Sequence, residues 1–133
     1  MNPPKKTILY VDDDADDREL LGEIMHKIAP ELKVLFSENG LQALELLVET
    51  KETTLLPCLI VLDLNMPYLD GRQTFERIKA DTQLKSIPVV ILSSGQNPND
   101  KSFFSKEDIP YFTKPVRVSD MENLASELLN HCD

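Results

Sequence analysis

Five short apolar runs, at residues 7–11, 32–36, 59–62, 88–92 and 109–113, are separated by segments with helical spacing. A strand buried on both faces, as in a parallel sheet, reads as a continuous apolar run. After the first run Leu20, Leu21, Ile24 and Ile28 recur at helical intervals, and after the second Leu41, Leu44, Leu47 and Val48 do the same. Phe75 and Ile78 follow the third run, and Val118, Met121, Leu124 and Leu128 follow the fifth. Repeated strand–helix units joined by right-handed crossovers imply an α/β fold, a doubly wound five-stranded parallel sheet with helices on both faces. The third run is the most apolar and is expected at the centre.

Local signals set the boundaries. Ala29-Pro30 ends the first helix, Glu38-Asn39-Gly40 turns the chain into the second, the polar residues 50–54 close it, and Asp70-Gly71 opens the third. Residues 93–99 are rich in Ser, Gly, Asn and Pro and read as loop. Pro98 limits any helix to its C-terminal side, so a short or irregular fourth helix is expected over 100–108.

Asp12, Asp13 and Asp14 follow the first run, and Asp63 ends the third. The C-terminal edge of an open α/β sheet is where such folds keep their sites. Carboxylates gathered there repel one another unless a hard cation sits among them, which points to phosphate chemistry through a metal. Part of the cluster has a simpler explanation. Aspartate is a favoured N-cap and suits the positive end of a helix, and Asp14, Asp16 and Asp17 are read in that way. Asp12, Asp14, Asp16 and Glu23 also fall at EF-hand positions, but Asp17 stands where that loop needs glycine, and a strand-like run precedes it.

Composition narrows the function classes. The 133 residues suit one domain, with residues 1–6 as a tail and 7–133 as the folded unit. A net charge of −9 with scattered basic residues argues against nucleic-acid and anionic-membrane partners. Cys58 and Cys132 have neither disulfide-framework nor zinc spacing and are read as ordinary thiols, which suits a reducing cytoplasm. His26 and His131 lack metal-ligand spacing and are read as surface residues. The first six residues lack the apolar stretch of a signal peptide, and no segment approaches a membrane span, so a cytoplasmic location is expected.

Asp12 and Asp13 after the first strand, Asp63 ending the third, Ser93 ending the fourth and Lys114-Pro115 after the fifth form an ordered set. With Leu62-Asp63-Leu64-Asn65-Met66-Pro67 and Asp70-Gly71 placed like a phosphorylation loop, the chain resembles the receiver domains of two-component response regulators. The small chemotaxis receiver is the familiar example. The resemblance spans nearly the whole chain and implies a flavodoxin-like receiver fold with strand order 2-1-3-4-5 and five helices. It leaves no segment for an effector domain, so a stand-alone receiver is expected. Gly95 and Gln96 after Ser93, and Asp108-Ile109-Pro110 before the fifth strand, depart from the usual pattern. These departures, with the Asp-rich start and an extended loop over residues 51–57, look more like the stand-alone receivers paired with phytochrome-type and hybrid sensor kinases.

The family's roles carry over by resemblance. Asp63 would accept a phosphoryl group as nucleophile, forming an acyl phosphate. Mg2+ would be held by Asp13, Asp63 and the backbone carbonyl of Asn65, with Asp12 acting through water. Lys114 would pair with a carboxylate before phosphorylation and a phosphate oxygen after it, and Ser93 would hydrogen-bond that new oxygen. Tyr111 matches the aromatic switch position that turns inward when the Ser93 loop moves. Pro115 is a cis-peptide candidate, an isomer that sequence alone leaves open.

The implied partners are a sensor histidine kinase or histidine phosphotransfer protein, an unidentified downstream protein and, as in many such receivers, a second copy. The chain would then be no enzyme for external substrates, catalysing only its own phosphotransfer and dephosphorylation. The alternatives are a small aspartate-nucleophile phosphatase, which would want an aspartate where Asn65 stands, and an inactive receiver used as a binding module, although all five expected elements are present. A flavin-binding flavodoxin is disfavoured because the acidic loop at residues 12–17 would repel a flavin phosphate.

Overall fold

The apolar runs become strands β1 (Thr7–Val11), β2 (Lys33–Ser37), β3 (Leu59–Leu62), β4 (Val89–Ser93) and β5 (Tyr111–Thr113) in a computed structural model that describes residues 6–52, 56–66, 68–95 and 97–132. All pairings are parallel and the order is β2-β1-β3-β4-β5. The helices are α1 (Ala15–Ile28), α2 (Gly40–Glu52), α3 (Gly71–Ala80), α4 (Pro98–Lys106) and α5 (Val118–Leu129). The expected tail residues 1–5, the helix-closing Thr53 and Thr54, Pro67 in the loop after β3, and Gln96 lie outside the described residues. No helix among the described residues is long and apolar enough to cross a membrane.

Alternation along the strands sends their side chains into two cores. Leu9, Val11, Ile60 and Leu62 pack with Ala43, Leu47, Phe75, Ile78 and Phe104 on the face covered by α2, α3 and α4. Ile8, Tyr10, Leu59 and Val61 pack with Leu21, Met25, Leu124 and Leu128 on the face covered by α1 and α5. Every residue of β3 and β4 is buried, as their apolar runs Leu59–Leu62 and Val89–Leu92 require, and the polar Ser93 that ends β4 is buried with them. The strand order reverses between β1 and β3, which opens the sheet's C-terminal edge at Asp12 and Asp63.

Several expected boundaries move, each for a physical reason. β5 starts at Tyr111 because Pro110 has no N–H for the ladder, and its carbonyl instead accepts from Ile91 N–H at 2.9 Å. α2 runs on through the polar Thr50 and Lys51 to Glu52, held by a 2.9 Å ion pair between Lys51 and Asp81. It therefore occupies the first residues of the expected extended loop.

The fourth helix is regular. Asn97 caps it by accepting from Asn99 N–H at 2.9 Å, Pro98 takes the first helical position, and Phe104 is buried against the Phe75 ring at 5.2 Å. Tertiary burial of one aromatic, the Asn97 cap and the proline start stabilise a segment too short to be helical alone.

The two cysteines are corrected as well. The chain beyond α5 returns beneath the N-terminal edge of the sheet, so Cys132 meets Cys58 just ahead of β3, and the two form a disulfide with Cα atoms 5.0 Å apart. Their separation of 74 residues carries no local spacing signal, and the argument from free thiols to a reducing compartment falls away.

Candidate functional site

The sheet's hydrogen bonding continues past the strand ends and places the polar residues. Asp12 N–H donates to Ser37 O at 3.0 Å, Asp63 N–H to Val11 O at 3.0 Å, and Lys114 N–H to Ser93 O at 2.9 Å. These three backbones are therefore as well fixed as the strands they follow.

The loop after Asp63 returns under α3, whose N-cap Asp70 forms a capping box with Gln73 at 2.8 and 3.1 Å. Gly71 N–H donates to Leu64 O at 3.1 Å, and a Cβ at Gly71 would lie against Asp63 O and 2.6 Å from Leu64 Cα. Backbone on backbone leaves no room to yield. Gly71→Ala is expected to cost about 2–3 kcal/mol in urea unfolding and to shift Asp63. A loss below 0.5 kcal/mol, about the size of an ordinary surface change, would show that the close approach does not matter.

Carboxylate oxygens of Asp12, Asp13 and Asp63 all lie within 4.8 Å of one another. Asp12 and Asp63 are buried, whereas Asp13 is exposed and opens the cluster to solvent. Asp12 Oδ1 accepts from Asp14 N–H at 2.9 Å, while its Oδ2 accepts from Tyr10 OH at 2.5 Å and sits 2.7 Å from Lys114 Nζ. The same ammonium reaches Asp17 at 2.9 Å and Asp63 at 3.4 Å. Lysine has three donors, and here three carboxylates take them.

Burial, and then the charge of Asp12, push the Asp63 carboxyl up to about 6, against the opposing pull of Lys114 and of the Asn65 N–H. Burial alone would lower the Lys114 ammonium. Hydrogen bonds to Asp12 and Asp17 outweigh it, and the group stays charged well above its ordinary range. Burial raises the Tyr10 phenol, with the neighbouring Asp12 charge adding to it, so it remains a donor. Three carboxylates facing one ammonium, with Asp13 beside two of them, leave a surplus of negative charge carried on oxygen ligands, which fits a hard divalent cation.

Ser93 is buried at the end of β4, and its Oγ accepts from Gly95 N–H at 3.2 Å. Tyr111, half-buried on β5, donates its OH to Gly95 O at 3.1 Å. One loop residue thus joins the two side chains assigned to the switch. Asn65 N–H approaches Asp63 Oδ1 at 3.3 Å. No peptide bond among the described residues is cis, so the Lys114–Pro115 bond is trans, contrary to the cis candidate. Lys114 reaches its three carboxylates from the trans form, which X–Pro bonds favour by about 0.5–1 kcal/mol.

Asp14 is the N-cap of α1, accepting from Asp16 and Asp17 N–H at 2.9 and 3.2 Å, while Asp16 is exposed. Asp17 departs from its reading as a helix-start residue, because its carboxylate joins the site through Lys114. His26 is exposed as expected, but His131 is half-buried beside the Phe112 ring at 6.1 Å. Sequence reasoning also missed Arg18, whose Nη1 donates to Asp12 O at 2.7 Å, and Tyr10. Tyr10 had a signal. It lies two residues before Asp12, where the chain continues the line of β1, hence on the same face, and a buried phenol needs a partner.

A model of the response regulator receiver domain matches residues 8–126. The two-component response regulator ARR17 of Arabidopsis thaliana is 36% identical over 132 residues, covering 92% of this chain and 84% of that protein. Among solved structures, the phosphorylated cyanobacterial phytochrome response regulator RcpA superposes with a TM-score of 0.86 at 30% identity, covering 97% of this chain and 94% of that one. The Mn2+-bound form of response regulator Rcp1 gives 0.79 at 30% identity, with 92% and 90% covered.

Proposed function

We propose, since the chain belongs to the family of response regulator receiver domains, that it receives a phosphoryl group on Asp63 from a histidine of a sensor kinase or phosphotransfer protein. One observation carries this reading: a buried carboxylate at the end of the central strand, clustered with the Asp12 and Asp13 carboxylates and within 3.4 Å of the Lys114 ammonium. The receiver unit spans residues 7–133 in this reading, and its activity is signalling, limited to its own phosphotransfer and dephosphorylation.

The oxygen ligands fit Mg2+: Asp13 and Asp63 would hold it directly, and by the family resemblance the Asn65 backbone carbonyl would add a ligand and Asp12 would act through water. Held there, the ion would neutralise charge on the phosphoryl oxygens. The Asp63 carboxylate attacks phosphorus as the bond to the histidine nitrogen breaks, and the imidazole leaves toward the partner. Lys114 then turns an N–H to a phosphoryl oxygen. Ser93 donates its O–H to the new phosphate oxygen and moves toward it, which draws its Oγ away from the Gly95 N–H and frees Gly95 and with it Tyr111. The downstream partner reads that loop and Tyr111. The phosphorylated relative and the Mn2+-bound relative support both halves of this reading.

The test is incubation with a small acyl-phosphate donor, read by intact mass. One phosphoryl mass should appear with Mg2+ and none with chelator, and an adduct formed equally well under chelator would sink the metal-dependent mechanism. Thermal melting checks the metal alone. At 100-fold excess over its dissociation constant, Mg2+ should stabilise the protein by about 2.7 kcal/mol, and Asp13→Asn should remove most of that gain. An unchanged gain in Asp13→Asn would remove Asp13 from the ligand set.

A further inference from the structure

We propose that Asp17 is a positioning residue: its carboxylate holds the Lys114 ammonium off the nucleophilic oxygen of Asp63 and within reach of an incoming phosphoryl group. The inference rests on the receiver reading above and adds a residue to it. Lys114 Nζ lies 2.7 Å from Asp12, 2.9 Å from Asp17 and 3.4 Å from Asp63, so the nucleophile has the longest of the three contacts. The lysine side chain is only 11% exposed, which leaves its ammonium dependent on these partners.

The three partners differ in what the reaction does to them. Asp12 and Asp63 belong to the cluster that fits a cation, and Asp63 exchanges its own charge for an acyl phosphate. Asp17 stands outside that cluster and forms no bond in the transfer. It sits in the first turn of α1, where the Asp14 cap fixes its backbone by accepting its N–H at 3.2 Å. The long lysine stem can therefore pivot about Asp17 while its other N–H groups pass from carboxylate to phosphate.

Without Asp17 the ammonium has two carboxylates left, both in the cation cluster. It closes onto Asp63 Oδ2, covers the attacking oxygen and loses its anchor on the helix side. Both effects slow phosphoryl transfer. Loss of a negative charge near an anionic donor acts in the opposite direction, and Asp16 measures that effect, being exposed in the same turn.

The experiment follows initial phosphorylation by a small acyl-phosphate donor with Mg2+, read by intact mass. Asp17→Asn should be about 5- to 10-fold slower than wild type, the size of one charge-assisted hydrogen bond. Asp16→Asn should be as fast or faster, and Asp17→Glu should recover most of the rate. In a Lys114→Ala background, Asp17→Asn should change the rate by less than about 2-fold, since the two residues act as one unit. The metal-free protein supplies a separate readout, because the Lys114 ammonium 15N signal should shift in Asp17→Asn and stay in place in Asp16→Asn.

An Asp17→Asn protein as fast as Asp16→Asn, or equally slowed with and without Lys114, overturns the assignment. If wild type gains no phosphoryl mass, or gains it unchanged in Asp63→Asn, the receiver reading itself falls and takes this inference with it.

Discussion

Asp63→Asn should take up no phosphoryl group from an acyl-phosphate donor under conditions where wild type gains one. The amide matches the carboxylate in shape and lacks its nucleophilic oxygen, so the chemistry is lost while the packing is kept. Lys114 retains Asp12 and Asp17, its two shorter contacts. The stability of the variant separates lost chemistry from lost structure.

Asp63 has its folded value raised to about 6, so the native state holds that proton more tightly than the unfolded chain does. The corresponding stability is present at low pH and is lost as pH rises from about 4 through about 6. Above that window the metal-free protein carries an ionised, buried carboxylate at full cost. Asn removes the charge, so at neutral pH without metal the variant should melt at or above the wild-type temperature. A phosphoryl adduct at the wild-type level in this variant would refute Asp63 as the acceptor.

Reducing the Cys58–Cys132 bond should cause the largest loss of stability that leaves the site untouched. The bond closes a loop of 74 residues, and removing such a constraint on the unfolded chain costs about 2–4 kcal/mol. For a domain of this size that is a fall of roughly 10 °C in melting temperature. Cys132→Ser should reproduce the fall, and a reductant should then have no further effect. Phosphorylation by the small donor should persist in the reduced protein well below its melting point, because the bond lies at the edge of the sheet opposite Asp63. A melting temperature indifferent to reductant would show that the thiols remain unpaired in solution.

Much of the fold is legible in the sequence because it rests on local patterns. Apolar runs buried on both faces mark β1, β3 and β4, and one-sided helical stripes mark α1, α2 and α5, so the alternation that defines the architecture needs no long-range information. The acidic edge is legible for the same reason, since the Asp12-Asp13 pair and Asp63 each follow an apolar run directly. The regular α4 is not, because its residues are stabilised by burying Phe104 against Phe75 from another helix.

The sequence by itself determined the strand–helix alternation, the carboxylates at the strand ends and the resemblance carried by Asp63, Ser93 and Lys114. Only the tertiary structure decided which distant residues meet. Asp17 and Lys114 lie 97 positions apart and are joined because β1 and β5 end at the same edge of one sheet. Cys58 and Cys132 meet at the opposite edge for the same topological reason. Periodicity is a property of a dozen neighbouring residues, whereas these contacts depend on strand order and on the direction of every crossover.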